Sequence, residues 1–446
     1  MQTTNPATGE LLQEWAPLSD DEALRLVECA ATAQRAWAER SFAERAVPMR
    51  RLAALLREHR ERLAQRMVDE VGKLRGEALG EVDKCAWVCE HYAEHAAAML
   101  APEPPAFGDP IDATDVHVRF DPLGVVLAIM PWNFPFWQVL RFGAPALMAG
   151  NTVLVKHAPN TLGCSHDIAE LAREAGFPAG ALQDLRVEVE QVPALIHHPA
   201  VAAVTVTGSE RAGAAVAAEA GRALKKCVLE LGGSDPFVVF ADADLDEAVR
   251  QAVVARVLNA GQTCCAAKRF LVHEDIAADF EARFAAALQA APCAPLVRDD
   301  IRANLHRQVE ETVAAGARLV CGGEVPGGPG WFYPPTLVAE VAPGMACFDE
   351  ETFGPVAAIV PFSTVEQALE LANASAYGLT ASVWTADLEL ARDLARRLQV
   401  GGVFVNRMPG SDPRIPFGGV GKSGYGRELG IYGIREFVNI KTVWIA

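Results

Sequence analysis

The spacing of hydrophobic and polar residues differs between the first hundred residues and the rest of the chain. Over roughly the first hundred residues, apolar positions recur with the spacing of amphipathic helices. Ser-x-x-Glu capping boxes at Ser19 and Ser41 open the first two of these stretches, and prolines just beyond position 100 end the last. The predicted helices span 23–40, 46–71 and 77–100.

From residue 116 onward, short apolar runs typical of buried strands alternate with amphipathic stretches. Predicted strands lie at 116–120, 125–130, 152–156, 201–206, 227–231 and 237–240, and predicted helices at 162–175 and 210–222. After Gly233 the pattern starts afresh, with helices at 245–258 and 276–291 and strands at 270–272 and 403–406. This alternation predicts an α/β fold of two units, each with a parallel sheet covered by helices.

Composition narrows the classes of partner. The chain has 446 residues, 51% of them hydrophobic, and a net charge of −17, so nucleic acid and anionic membrane surfaces are poor partners. Apolar runs are shorter than the ~18 residues that span a bilayer, and the N-terminus does not resemble a signal peptide. Ten scattered cysteines are typical of free thiols in a reducing cytoplasm. Cys85 and Cys89 share a helix face, but no His set completes a zinc site, and no metal is predicted.

The candidate chemistry begins at the adjacent cysteines Cys264 and Cys265, in a turn between a predicted helix and a predicted strand. A thiolate at such a turn is a candidate nucleophile, because backbone N–H groups can be directed at it. The alternative is a buried small hydrophobe, which is the expected state of Cys265.

Other parts of the chain complete a pattern with Cys264. The motifs are Pro-Trp-Asn-Phe-Pro at 131–135, Glu-Leu-Gly-Gly at 230–233, Asn-Ala-Gly-Gln-Thr-Cys at 259–264 and Glu-Thr-Phe-Gly-Pro at 351–355. In order and spacing they resemble the aldehyde dehydrogenase superfamily, from residue 5 to the end of the chain. Within that family, the segments 154–160 and 224–230 are most similar to the bacterial succinate-semialdehyde dehydrogenase branch.

The resemblance implies the aldehyde dehydrogenase fold. A Rossmann-like NAD(P)-binding domain is expected at 1–103 and 123–232, and a second α/β catalytic domain at 233–417. A small β oligomerisation arm is expected at 104–122 and 425–446, where the apolar tail pairs with the strand at 116–120. The arm implies a homodimer or homotetramer.

The resemblance also implies the catalytic residues. Cys264 is the nucleophile, because the family's thiol lies two residues after the Gln, here Gln262. The side chain of Asn133 and the backbone N–H of Cys264 are the oxyanion donors. Glu230 is the base that activates water, and its presence favours a non-acylating enzyme over the CoA-acylating branch. The alternatives are a turn residue for Asn133 and a structural ion pair for Glu230.

NAD or NADP is the implied cofactor. Gly208 and Ser209 open a helix that also holds Gly213, and its N-terminus suits a pyrophosphate. The remaining cofactor-binding residues are Lys156 for a ribose, Glu351 for the nicotinamide ribose, and Phe353 and Trp132 beside the nicotinamide. A G-x-G-x-x-G pattern at Gly419, Gly421 and Gly424 is rejected as a dinucleotide site, because no strand precedes it and too little chain follows.

Two positions depart from common family patterns. Pro159 stands where NAD-preferring relatives often carry a Glu, so no carboxylate repels a 2′-phosphate. Leu258 stands where succinate-semialdehyde dehydrogenases often carry an Arg. In the succinate-semialdehyde branch an Arg at the offset of Arg141 meets the substrate carboxylate, so the resemblance implies that Arg141 binds it beside Trp137. The alternative is a surface or interdomain ion pair, and Arg407 and Arg414 are candidates for the missing partner.

These residues predict a cytoplasmic, NAD(P)-dependent, non-acylating aldehyde dehydrogenase for a short semialdehyde such as succinate semialdehyde. A broad-specificity aliphatic or aromatic aldehyde dehydrogenase is the alternative. A non-catalytic structural protein is disfavoured by the intact set of Cys264, Asn133 and Glu230. A thiol hydrolase needs a His partner, and none of the ten His lies in a recognisable motif with Cys264.

Overall fold

The computed structural model describes residues 1–106 and 111–446. Its helices are α1 (Asp20–Glu39), α2 (Phe42–Glu58), α3 (Arg60–Val71), α4 (Arg75–Met99), α5 (Trp137–Ala149), α6 (Leu162–Glu174), α7 (Val192–His197), α8 (Glu210–Arg222), α9 (Leu245–Val257), α10 (Glu274–Gln289), α11 (Asp299–Ala314), α12 (Ala346–Asp349), α13 (Val365–Asn373), α14 (Leu388–Arg397) and α15 (Gly430–Arg435). Short 3₁₀ turns occur at Pro159–Thr161, Val189–Gln191 and Leu258–Gly261.

The strands are β1 (Gln2–Thr4), β2 (Leu11–Glu14), β3 (Asp115–Pro122), β4 (Val125–Met130), β5 (Thr152–His157), β6 (Leu182–Asp184), β7 (Val201–Thr207), β8 (Lys226–Glu230), β9 (Asp235–Val239), β10 (Ala267–His273), β11 (Arg318–Cys321), β12 (Thr336–Ala339), β13 (Val356–Phe362), β14 (Tyr377–Gly378), β15 (Thr380–Trp384), β16 (Gly402–Val405), β17 (Val420–Gly421), β18 (Gly424–Tyr425) and β19 (Val438–Ile445).

The first large sheet has six strands in the order β18-β8-β7-β4-β5-β6. Its strands run parallel except for β18, which pairs antiparallel with β8. The carboxyl ends of parallel strands meet at one edge of a sheet. That edge therefore brings together Lys156 at the end of β5, Glu230 at the end of β8, and the loop that follows β4 and carries Asn133.

The second large sheet has seven strands in the order β11-β12-β13-β10-β9-β15-β16, parallel except for the edge strand β11. Here the predicted site residues precede their strands: Cys264 lies before β10, and Glu351 and Phe353 lie before β13. The chain passes from the carboxyl end of β8 to the amino end of β9. The two sheets thus present opposite strand ends to the same site, and the predicted α/β fold class is confirmed.

The helices follow the predicted pattern with one correction. Both capping boxes form, with Ser19 and Ser41 accepting from the backbone of Glu22 and Glu44. The stretch 46–71, predicted as one helix, is two, because the chain leaves helical geometry at His59 (φ −97°, ψ 15°). The apolar period continues on both sides of that break, so the hydrophobic pattern does not reveal it.

A two-stranded ribbon stands apart from the large sheets. β19 pairs antiparallel with β3 from Val438 opposite Pro122 to Ile445 opposite Asp115, which confirms the predicted pairing of the tail. Residues 107–110 of the predicted arm lie outside the described residues. In the described ranges, no helix is both long and apolar enough to cross a membrane.

Candidate active site

The loop that carries Cys264 has an unusual backbone. After α9 ends, Asn259 and Ala260 adopt left-handed geometry with φ of 54° and 53°. Each such residue costs of order 1–3 kcal/mol and persists only where its surroundings fix it. Gly261 follows at φ 72°, where a Cβ would collide with the backbone of Gly354. The strain therefore lies just ahead of the candidate nucleophile.

Reciprocal hydrogen bonds join this loop to the loop of Asn133. The Nδ2 of Asn259 donates to the carbonyl oxygen of Asn133 at 2.8 Å, and the Nδ2 of Asn133 donates to the carbonyl oxygen of Gln262 at 3.0 Å. The Asn133 side chain is buried, and its amide has a second N–H. Within the described chain, the backbone N–H of Cys264 has no hydrogen-bond acceptor. The two predicted oxyanion donors thus lie on loops that fix one another.

Helix α4 supports both loops from behind. The Oε1 of Glu77 accepts from the backbone N–H of Asn259 at 3.1 Å. One turn later, the Oε1 of Glu81 accepts from the backbone N–H groups of Phe136 and Trp137, both at 3.0 Å. These two amides lie at the N-terminus of α5, where backbone N–H groups have no acceptor within the helix, and Glu81 supplies one. One helix therefore sets the spacing between the nucleophile loop and the oxyanion loop.

A buried lysine completes this support. Lys73 Nζ lies 2.5 Å from Glu81 Oε2, with both side chains almost fully buried, and 3.6 Å from the ring centre of Phe134. Sequence analysis missed Lys73, Glu77 and Glu81. The sequence does show that Glu77 and Glu81, four residues apart, share one face of a helix. Two carboxylates on one helix face usually indicate that the face is exposed to solvent, so this signal did not point to the site.

The two thiols form a coupled pair. Cys264 and Cys265 are both half-buried. A hydrogen bond between them raises the pKa of Cys264 and lowers that of Cys265, so the first thiolate is a property of the pair. The positive charges of Arg141 and Lys268 act to lower the pKa of Cys264. Lys268 is fully buried, and its Nζ donates to the carbonyl oxygen of Cys264 at 2.7 Å.

Glu230 lies in a closed, charged pocket. Burial raises the pKa of its carboxyl well above the ordinary value; Arg141 opposes this, and Glu428 and Cys264 add to it. The pocket wall is close, since a Cβ on Gly418 would lie 2.6 Å from Glu230 Oε1. A carboxyl with a raised pKa is suited to take a proton near neutral pH.

Arg141 has carboxylate partners within the protein, as in the alternative expectation of an ion pair. The sequence assigns it to a substrate carboxylate, but the structure places it against two carboxylates of the protein. Its Nε forms an ion pair with Glu428, and its Nη2 lies 3.7 Å from Glu230 Oε2. The side chain is only 2% exposed. These two carboxylates neutralise the guanidinium. Without them, a buried charge would lack a partner, which is costly.

The predicted pyrophosphate turn opens α8. Ser209 caps this helix by accepting from the backbone N–H of Ala212. Gly213 packs against β8, where a Cβ would lie 2.5 Å from Leu231 Cδ2. At Gly208 no atom lies within 4 Å of an added Cβ, so there is open space beside this residue of the turn.

Polar atoms with few or no partners lie at the carboxyl end of β5 and in the 3₁₀ turn that follows it. Burial lowers the pKa of Lys156, whose Nζ makes only a 3.4 Å hydrogen bond to the carbonyl oxygen of His157. The buried amide of Asn160 has no hydrogen-bond partner among the described residues. Such donors and acceptors fit a group rich in hydroxyls, such as a ribose. His157 is not a source of charge, since burial lowers its pKa to about 4 and its Nε2 bonds the carbonyl oxygen of Pro135.

The predicted nicotinamide-side residues come together across the site. The rings of Trp132 and Phe353 meet edge to face at 5.5 Å. Glu351 Oε1 accepts from the backbone N–H of Gly233 and from Lys268 Nζ, both at 3.0 Å. Lys268 therefore links Glu351 to the Cys264 backbone, a connection that the sequence did not reveal.

The glycine pattern near the C-terminus is not a phosphate loop. Gly421 ends β17, and Gly424 begins β18 opposite Glu230 in β8. The segment thus closes the pocket of the candidate base instead of opening a helix. In the residues that the structure covers, no group of three or more His, Cys, Asp or Glu is arranged to hold a metal ion.

Comparison with known proteins agrees with this arrangement. The chain matches the aldehyde dehydrogenase family over residues 1–443. It is 49% identical to the succinate semialdehyde dehydrogenase (NAD(P)+) Sad of Escherichia coli, across 99% of this chain and 96% of the relative. It is 46% identical to succinate-semialdehyde dehydrogenase (NADP+) 1 of Mycobacterium tuberculosis, across 100% of this chain and 99% of the relative.

A solved structure shares the fold over the full length. The succinic semialdehyde dehydrogenase of Streptococcus pyogenes, crystallised with NADP+, superposes with a TM-score of 0.96 at 35% identity, covering 100% of this chain and 99% of that one. The family match spans nearly the whole sequence, and the fold agrees with it. The chain belongs to the aldehyde dehydrogenase family.

Proposed function

We propose that this chain oxidises a short semialdehyde, such as succinate semialdehyde, to the carboxylic acid with NAD(P)+. The observation that carries the proposal is the cross-bonded pair of loops, which holds the Asn133 amide beside Cys264 while Glu230 lies in the same pocket. The relatives named above supply the substrate class and the cofactors.

The first half of the reaction uses Cys264 and Asn133. The thiolate sulfur adds to the carbonyl carbon of the aldehyde, and the carbonyl electron pair moves onto oxygen. The resulting oxyanion accepts hydrogen bonds from the Asn133 Nδ2 and the Cys264 backbone N–H. Donors that are fixed in advance stabilise this charge without reorganisation, and one such donor is typically worth about 10²–10³-fold in rate.

NAD(P)+, when bound, supplies the hydride acceptor that converts this adduct into a thioester. The polar atoms with few or no partners at Lys156 and Asn160 and the open space beside Gly208 fit such a cofactor. Gly208, Ser209 and Gly213 would hold its pyrophosphate, Lys156 its adenosine ribose and Glu351 its nicotinamide ribose. Trp132 and Phe353 would line the nicotinamide end.

The second half uses Glu230. The carboxylate takes a proton from water, whose oxygen attacks the thioester carbon. The carbon–sulfur bond breaks, Cys264 leaves as a thiolate, and the carboxylic acid is released. Arg141 keeps part of the Glu230 population ionised, since it opposes the effect of burial on the pKa of that group.

The proposal extends to organisation. The first sheet with 1–103 and 123–232 binds the cofactor, 233–417 is the catalytic domain, and 104–122 with 425–446 is the arm of a cytoplasmic homodimer or homotetramer. Exposed apolar side chains on the ribbon support an interface, among them Ile440 at 63% and Trp444 at 58% exposure.

The test is a panel of short aldehydes and semialdehydes assayed for reduced cofactor with NAD and with NADP. Succinate semialdehyde is expected to give the highest kcat/KM. A wild-type enzyme that oxidises butanal as well as succinate semialdehyde would favour the broad-specificity alternative.

A further inference from the structure

One amino group of α4 lies beside the active site without a carboxylate partner. Lys84 Nζ donates to the hydroxyl oxygen of Ser411 at 2.8 Å and lies 4.2 Å from the ring centre of Trp137. Trp137 begins α5, directly after the oxyanion loop. Lys84 therefore lies between the start of α5 and the loop that carries Ser411.

The acidic groups near Lys84 are paired elsewhere. Glu81, one helical turn away, contacts Lys73, and Asp412 contacts Arg414 at 2.6 Å. Across the described ranges, Lys84 forms no ion pair. Burial lowers the pKa of Lys84, and among its charged neighbours Cys265 has the largest effect. A partly desolvated ammonium without a counterion is costly, and an anionic ligand would offset that cost.

The other cations at the site are less suited to an anionic ligand. Arg141 is engaged with Glu428 and Glu230. Leu258 supplies no charge. Arg414 is exposed and already paired with Asp412, so its charge is both neutralised and screened by water. Arg407 is also exposed, so water screens its charge as well.

We propose that Lys84 is the specificity-determining residue that receives the carboxylate of an ω-carboxy aldehyde while the aldehyde carbon meets Cys264. The Ser411 hydroxyl is a second donor to the same carboxylate. This inference rests on the proposed function and adds to it the residue that selects the substrate class.

A purely structural role is the competing explanation, because the Lys84–Ser411 hydrogen bond ties α4 to the loop at 407–416. Three substitutions distinguish this structural role from binding of the substrate carboxylate. Lys84→Met removes the charge but keeps an apolar stem of similar length, Lys84→Arg keeps the charge, and Ser411→Ala breaks the tie while leaving the ammonium in place.

The first measurement compares kcat/KM for succinate semialdehyde and butanal. Lys84→Met is expected to lower the ratio of the two by roughly 10–100-fold, mostly through KM, because a hydrogen bond to a charged group is lost. Butanal oxidation should stay within about twofold. Lys84→Arg should keep most of the selectivity, and Ser411→Ala should lose less of it than Lys84→Met. Equal losses on both aldehydes, or a larger loss in Ser411→Ala, would overturn the assignment.

The second measurement does not depend on turnover. Succinate and butanoate are added separately to the enzyme, and the thermal midpoint of unfolding is followed. Succinate should stabilise the wild type and Lys84→Arg more than butanoate does, and this difference should vanish in Lys84→Met. Equal stabilisation of wild type and Lys84→Met by succinate would overturn the inference. A wild type that oxidises neither aldehyde would instead reject the proposed function, and the succinate result would still decide the role of Lys84.

Discussion

The two sides of the reaction centre are held very differently. On the chemical side, buried groups fix the loops of Asn133 and Cys264: two reciprocal side-chain bonds, the carboxylates of Glu77 and Glu81, and the Lys73 ammonium. On the proposed substrate side, the loop at 407–416 carries exposed charged side chains, and its Ser411 hydroxyl accepts a hydrogen bond from Lys84. Its other hydrogen bonds to the rest of the chain are accepted by backbone carbonyls, at Arg407 and Pro413. Several buried contacts thus fix the loops of the catalytic residues, whereas the proposed selectivity depends on few side-chain contacts.

This difference has a physical reason. An oxyanion donor must be in place before charge develops, so movement of its loop costs rate directly. A substrate tail tolerates more freedom, because its contacts act on binding and can be remade. Substitutions on the chemical side should therefore lower kcat for every aldehyde, and those on the substrate side should mainly change KM for some.

The largest effect should come from Cys264 itself. Cys264→Ala should abolish aldehyde-dependent formation of reduced cofactor, because it removes the thiol that forms the thioester. The matched control is Cys265→Ala, which should retain turnover. An active Cys264→Ala together with an inactive Cys265→Ala would instead identify Cys265 as the nucleophile.

Glu230→Gln should have the next largest effect, on the steady-state rate. Loss of a general base typically lowers the rate by about 10²–10⁴-fold. Because acylation and hydride loss precede hydrolysis, a stopped-flow experiment should still show a burst of reduced cofactor close to one equivalent per active site. A steady-state rate equal to that of the wild type would remove Glu230 from deacylation.

The support behind the loops should couple stability to rate. Glu81→Gln leaves Lys73 buried without a counterion, and breaking such a pair typically costs about 3–5 kcal/mol of unfolding free energy. Urea denaturation measures that loss, and kcat should fall equally for charged and uncharged aldehydes. The double variant Lys73→Met with Glu81→Gln should recover part of the stability. A rate loss confined to succinate semialdehyde would place Glu81 on the substrate side.

Much of the fold that positions this site could be predicted from the sequence, because the signals involved are local. Strand boundaries at 125–130 and the helix at 210–222 matched, because apolar period and capping residues are local signals. Asn133 and Glu230 stand in motifs next to strand ends, so the order of the chain placed them at one sheet edge.

The remainder depends on tertiary contacts that no local pattern contains. Glu81 resembles a solvated helix residue until α4 docks against the start of α5. In the sequence alone Arg141 has no visible partner, and only the folded chain brings Glu428, from the C-terminal region, into contact with it. Buried polar partners far apart in sequence are the least predictable part of a site, and here they surround the chemistry.

A smaller effect is expected at the exposed edge of the cofactor site. With Pro159 in place, the wild type should accept NADP within about tenfold of NAD in kcat/KM, or better. Pro159→Glu introduces a carboxylate near the 2′-phosphate and should lower kcat/KM with NADP by about tenfold or more while sparing NAD. Pro159→Gln is the uncharged control. Strict NAD dependence of the wild type, by a factor of thousands, would contradict this account of Pro159.

Substitution of Arg141 tests whether this residue contacts the substrate carboxylate or instead tunes the pKa of Glu230. The sequence favoured a substrate contact, which would make Arg141→Met harmful to succinate semialdehyde but not to butanal. The contacts with Glu230 and Glu428 lead to a different expectation: similar losses on both aldehydes and a changed pH profile. Arg141 lowers the pKa of Glu230, so removing it should raise that pKa further and reduce the ionised fraction of the base at a given pH.

The acid limb of kcat should therefore move to higher pH in Arg141→Met. Glu428→Gln provides the opposite control, because it removes a negative charge that raises the pKa of Glu230. Its acid limb should move to lower pH. The pH dependence of kcat with butanal measures both shifts, with unfolding midpoints recorded to confirm that each variant is folded. Unshifted profiles together with a loss confined to charged aldehydes would return Arg141 to the substrate side, and the carboxylate would then have two cationic partners instead of Lys84 alone.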